Sequence, residues 1–219
     1  MAEVFPFNAI MPPADQVEQV AAPPYDVVNT EEAAEMAEGN PLSFLHVSRP
    51  EIDLPAGTDL YAAEVYDKAA ENYRRLKSTV PMTADPVAHY YVYALEMNGR
   101  RQTGIAAAVS VDDYDNDVVK KHEKTRKAKE DDRTRHIVTL GSQTGPVFLT
   151  HRDSGDLAGL VAEVTAADPR FDFVAPDGIR HTVWPVPDSK TEAIREAYAA
   201  IPALYIADGH HRAASASRT

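Results

Sequence analysis

Apolar positions recur along the chain with two periods. Between Asp59 and Lys77, Val65, Ala69, Tyr73 and Leu76 fall three or four residues apart, which puts them on one face of a helix that Asp59 is placed to cap. Residues 89–97 and 102–111 are instead rich in aromatic and β-branched side chains, with Asn98-Gly99 between them. Asn and Gly tolerate positive φ at both central positions of a type I′ turn, so this stretch predicts a β-hairpin. Phe171–Val174 and residues 181–186 flank Asp177-Gly178 and predict a second hairpin. Short apolar runs predict strands at residues 5–10, 43–47, 118–119, 147–149 and 203–207. Helices are expected from Thr30 to Gly39 and over residues 129–140, 156–166 and 189–200, the last capped by Ser189, with another beginning at Ala213. Residues 112–117 read as an acidic turn, and the double proline at 23–24 holds residues 21–26 extended.

This alternation predicts one α/β (α+β) domain over residues 1–219, a mixed sheet with β-hairpins and flanking helices. A helix begun so close to Thr219 is short for stability, so the natural protein is expected to continue. No internal repeat is visible.

Composition narrows the chemistry. With 44% hydrophobic and 26% charged residues the chain is ordinarily globular. It has no cysteine, which excludes disulfides and thiolate zinc sites. The first residues lack the basic-then-apolar pattern of a secretory signal, and no run is long enough to span a membrane. A cytoplasmic protein is expected, with no membrane partner. The formal charge of −12 argues against non-specific nucleic-acid binding, and no basic helix resembles a DNA reader, so no specific nucleic-acid partner is expected. One segment runs against that average. Residues 118–136 hold eight basic side chains against four acids, a local +4 that leaves −16 for the remainder.

Two segments can carry chemistry. The first is Asp208-Gly209-His210-His211-Arg212, between the apolar strand and the alanine-rich helix. Unpaired amides and the dipole at a helix start favour an anion, and Gly209 lets the backbone approach it. Arg212 adds a fork suited to phosphate, and His210 and His211 can donate to phosphate oxygens. The second is His122-Glu123, followed by Lys124, Arg126 and Lys129 within the basic segment. With Arg at 126 it is not a His-Glu-x-x-His zinc motif. An ionised Glu123 beside a bound phosphate can take the proton of a hydroxyl nucleophile.

These motifs bring a resemblance with them. Ala22-Pro23-Pro24-Tyr25-Asp26, Phe44-Leu45-His46-Val47, Lys121-His122-Glu123-Lys124-Thr125, Asp131-Asp132-Arg133, Gln143-Thr144-Gly145-Pro146 and Ala207-Asp208-Gly209-His210-His211-Arg212 occur in the order seen in domain of unknown function family 1015. The chain resembles that family over nearly its whole length. The His-Glu pair and the later Asp-Gly-His-His-Arg segment are also similar to the free-serine kinase branch of the ParB/sulfiredoxin-like superfamily. That resemblance implies a ParB/sulfiredoxin-like core with insertions, with the phosphate-binding part over about 105–219. It implies that the 208–212 segment cradles the phosphates of an adenine nucleotide, ATP or ADP, and that Glu123 acts at the acceptor hydroxyl. The sulfiredoxin reaction needs a cysteine that this chain lacks.

The reading that follows is a nucleotide-dependent phosphotransferase acting on a small hydroxylated metabolite. Glu123, Asp208 and His122 are its candidate catalytic residues. Gly209, His210, His211, Arg212, Arg126 and Lys129 are its candidate phosphate ligands. Asp208 either positions the hydroxyl or holds Mg²⁺. Two other readings stay open: a metal-dependent hydrolase using His122, Glu123, Asp208, His210 and His211, and a nucleotide sensor without catalysis. Tyr25-Asp26 reads equally as a pocket wall or a rigid turn, as do His46 and Arg49 as ligand contacts or surface. Gln143-Thr144-Gly145 reads as a helix C-cap, His89, His151 and His181 as structural, and Trp184 as core.

Overall fold

In the computed structural model, which describes residues 2–219, the chain divides into two compact units. One comprises the N-terminal residues through Ala14 with Ala84–His122 and Leu149–Ala207. The other comprises Asp15–Thr83, Glu123–Phe148 and Asp208–Thr219. The structure is mixed α/β with several small sheets. No helix among the described residues is long and apolar enough to cross a membrane.

The first unit carries the main sheet. Its four antiparallel strands lie in the order Arg100–Ala106, Tyr91–Met97, Arg180–Pro185 and Phe171–Val174. Both expected hairpins are present. Asn98 and Gly99 both take positive φ, 52° and 76°, as a type I′ turn demands. The first strand is shorter than its pattern because His89 leaves the ladder to bridge Phe7. Val92, Ala94 and Trp184 are buried, and the Trp184 indole donates to Ala167 O at 3.0 Å, so the one tryptophan is a core residue. Asp85 is also buried, accepting from Tyr91 Oη at 2.6 Å and from Arg170 Nη1 at 2.7 and 2.8 Å. Burial opposes its charge, but the Arg170 and Tyr91 hydrogen bonds outweigh that and hold the carboxyl below its ordinary range. The expected acidic turn is a short helix, Val111–Asp115, because Ser110 caps it by accepting from Asp113 N.

The strand Leu204–Asp208 is the middle strand of a separate three-stranded sheet. It runs parallel to Val119–Lys120, pairing Leu204 with Val119 and Tyr205 with Lys120. Leu204 and Ile206 are buried, which fixes the direction in which the strand delivers Asp208.

The second unit is built on helices. Ala63–Thr79 buries Val65, Ala69, Tyr73 and Leu76, as their spacing predicts, together with Tyr66 and Asn72. It begins later than expected. Asp59 accepts from Tyr61 N at 3.0 Å and so closes a turn ahead of the helix. Residues 43–47 are not a strand. They lead into the helix Leu45–Ser48, whose Leu45 and Val47 are buried in the helical core. A four- or five-residue apolar run does not distinguish strand from buried helix, and here the tertiary surroundings decided. Thr30–Ala37 opens with a capping box between Asn29 and Glu32. Lys127–Leu140 ends at Gly141, in the left-handed region at φ 62°.

Candidate anion site

The segment 208–212 is a corner and not a loop. The strand ends at Asp208, and the helix His210–Ser217 starts two residues later. Gly209 makes the turn alone, at φ 91° and ψ 35°, a conformation natural to glycine. His210, His211 and Arg212 therefore form the first helical turn, where amides point out of the helix start. Gly209 supplies no side-chain oxygen to cap them.

Glu123 is brought to this corner. Its Oε2 lies 3.4 Å from His210 Nδ1, with the imidazole only 4% exposed and the carboxylate 63% exposed. The imidazole fixes one side of the carboxylate and leaves the other to solvent. His211 Nε2 accepts the backbone N–H of Arg126 at 3.1 Å. Arg126 is the N-cap residue of Lys127–Leu140, so this bond joins the starts of two helices. Further along, Ser215 Oγ donates to Glu130 O at 3.2 Å. Arg218 pairs with Glu130 at 3.1 Å and Asp131 at 2.7 Å. Hydrogen bonds from Lys127 and Arg218 hold the Asp131 carboxyl below its usual range. Thr125 Oγ1 also donates to Glu130.

Arg212 is placed differently from its sequence expectation. Its side chain is 9% exposed, and its fork is met by protein acceptors. Nη2 donates to both oxygens of Asp26, at 2.7 and 2.9 Å, and to Asp208 Oδ2 at 3.1 Å. Nη1 donates to Pro146 O at 2.7 Å. Burial works against the guanidinium charge, but the Asp26 hydrogen bond and charge outweigh it and raise its pKa above the ordinary value. Gly145 is the close neighbour that allows this. A Cβ there would come within 3.2 Å of Arg212 Cδ. The C-cap role expected of residues 143–145 belongs to Gly141.

Tyr25 completes the surroundings. Arg133 stacks over its ring at 4.0 Å from the centroid, with Arg212 at 6.0 Å, and Arg49 Nη1 donates to its carbonyl at 3.4 Å. Burial raises the Tyr25 hydroxyl pKa, against the opposing charge of Arg133. Tyr25, Asp26, Glu123, Arg133, Gly145, Pro146 and the residues from Asp208 to Arg212, drawn from five of the segments that carried the family resemblance, thus contribute to this one neighbourhood of the second unit.

The basic segment is partly neutralised within the protein. Lys127 pairs with Asp131, Arg133 with Asp132, and Arg135 lies over the Tyr66 ring. Lys124, Arg126 and Lys129 are exposed and make no ion pair among the described residues. Lys129 and Arg133, four residues apart on Lys127–Leu140, share one helix face. His122 closes a segment of the first unit, and Glu123 opens a segment of the second. Among the described residues, no three or more His, Asp or Glu side chains converge in a way that could hold a metal ion. The sequence left Asp26 open between pocket wall and rigid turn, and showed Gly145 as a helix C-cap and not as a neighbour of Arg212. The Pro-Pro-Tyr-Asp turn was visible, but its partner lies 186 residues away.

Fold and site together define a mixed α/β protein with a cation-flanked strand–glycine–helix corner. The chain belongs to the family described as "Protein of unknown function (DUF1015)", whose model matches residues 4–219. Comparison with curated proteins and with solved structures gives no match.

Proposed function

We propose that this protein is a nucleotide-dependent phosphotransferase of the cytoplasm, acting on a small hydroxylated metabolite and built on a ParB/sulfiredoxin-like core. The observation that carries this reading is the approach of Glu123 to within 3.4 Å of His210 at an uncapped helix start. A proton acceptor and an anion-binding corner then adjoin, as phosphoryl transfer to a hydroxyl requires. The first-turn amides from His210 onward receive the phosphates of ATP or ADP. Arg126 and Lys129 lie close by in sequence to the Arg126–His211 link and offset the charge of transfer. Asp208 Oδ1 has no partner among the described residues, and its carboxylate is 66% exposed, so it fits the hard oxygen ligation of Mg²⁺. Asp208 would hold that ion, which would neutralise phosphate charge. Glu123 takes the proton of the acceptor hydroxyl, and His210 orients Glu123.

Titration calorimetry with ATP and ADP in the presence of Mg²⁺, followed by a phosphotransfer assay on hydroxylated metabolites including serine, tests the reading. Micromolar binding and a phosphorylated product support it. Absence of nucleotide binding overturns it. Binding without transfer to any acceptor replaces it with the nucleotide-sensor reading.

A further inference from the structure

We infer that the Pro23-Pro24-Tyr25-Asp26 turn belongs to the anion site, and that Asp26 is a positioning residue that fixes the Asp208-Gly209 corner through the buried guanidinium of Arg212. The inference rests on the phosphotransferase reading for its functional consequence, though not for its structural part.

Three observations carry it. First, Nη2 of Arg212 holds Asp26 and Asp208 at once, so one nitrogen couples the turn to the corner. Second, the guanidinium cannot shift freely. Its Nη1 is held by Pro146 O, and its Cδ packs closely on Gly145, where an added Cβ would meet it at 3.2 Å. Third, the turn is itself anchored, by Arg49 on the Tyr25 carbonyl and Arg133 on the Tyr25 ring. A buried guanidinium needs its acceptors, because an uncompensated charge out of water is strongly unfavourable. Losing Asp26 therefore leaves Arg212 to draw Asp208 out of place or to reach for solvent. Either movement disturbs Gly209, whose carbonyl accepts the Ala213 amide in the first helical turn.

This assignment reverses the expected sign of one substitution. If Arg212 touched phosphate directly, Asp26→Asn would free its fork, remove a nearby negative charge and strengthen anion binding. If Arg212 acts as the link to Asp26, the same change weakens it.

The experiment compares wild type, Asp26→Asn, Arg212→Ala, Arg212→Lys and the Asp26→Asn/Arg212→Ala double variant, each checked for native circular dichroism. Amide hydrogen exchange at Ala213, whose N–H donates to Gly209 O, without ligand, reads the positioning role. Calorimetry with Mg²⁺–ADP reads its consequence. The expected result is about tenfold faster exchange at Ala213 in Asp26→Asn and a loss of ADP affinity of about tenfold or more in both single variants. The double variant should be no worse than Arg212→Ala. Arg212→Lys should not recover, since one ammonium cannot serve Pro146 O, Asp26 and Asp208 together. Unchanged exchange in Asp26→Asn overturns the positioning role, and so does ADP binding as tight as wild type. If wild type binds no nucleotide, the phosphotransferase reading falls, and the exchange result still decides the link between Asp26 and the corner.

Discussion

At the scale of single residues, Glu123 and Gly209 have roles that opposite kinds of experiment expose. Glu123 is largely exposed and its carboxylate meets the His210 imidazole, so Glu123→Gln should leave stability and nucleotide affinity near wild type. Turnover should fall by roughly 10²–10⁴-fold, the usual worth of a proton acceptor. An unchanged rate in single-turnover phosphotransfer would remove Glu123 from the chemistry. Gly209 is the reverse case. A Cβ there meets only ordinary contacts, the nearest at 3.5 Å, but φ is +91°. Gly209→Ala should therefore destabilise by about 1–2 kcal/mol through backbone strain. Urea unfolding reads this directly, and a loss well under 0.5 kcal/mol, the usual scale of neutral surface changes, would show that the corner relaxes. The sequence disclosed both residues because their chemistry is intrinsic, one a carboxylate in a basic stretch and the other a residue free of a Cβ. It did not disclose where Arg212 points. A guanidinium suits phosphate and carboxylate equally, and Asp26 reached it only through folding.

At the scale of elements, the periodicity of the long helix and the turn chemistry of the hairpins were more legible than helix ends or short apolar runs. Gly141, and not residues 143–145, ends Lys127–Leu140. The capping box at Asn29 satisfies two amides at the start of Thr30–Ala37, with bonds of 2.9 and 2.8 Å. Asn29→Ala should cost about 1 kcal/mol, measured as a shift in the thermal unfolding midpoint, while Asn29→Asp should be close to neutral. If the two variants unfold alike, the cap contributes nothing. Tyr66, on the long helix, donates to Asp132 at 2.6 Å on the neighbouring helix, and burial followed by that bond raises its pKa. Residues 43–47 were misread because their apolar side chains are buried in a helical core, and a run of that length has no period to report.

At the scale of the whole molecule, acid sensitivity follows from His136. This side chain is buried in the helical unit, with Nε2 3.0 Å from Val47 O. Burial, with Arg133 adding to it, pushes its pKa from 6.5 down to about 4. Between those values the unfolded chain binds a proton that the folded chain refuses. Stability is therefore complete above pH 6.5 and falls as pH drops toward 4, by on the order of 3 kcal/mol in all. His136→Gln should flatten this dependence while keeping a donor for Val47 O. Urea midpoints at pH 7.5 and 5 provide the measurement, and an equal drop in both proteins would assign it to other groups. Periodicity, turn chemistry and helix ends were enough for the sequence by itself to determine the hairpins, most helices, the buried faces and the residue types of the site, because these depend on contacts a few residues apart. Only the tertiary structure decided that the chain forms two units, that Glu123 meets His210, and that Asp26 holds Arg212. Those pairings join segments far apart in the chain. Their partners are interchangeable by charge, so burial and shape select among them.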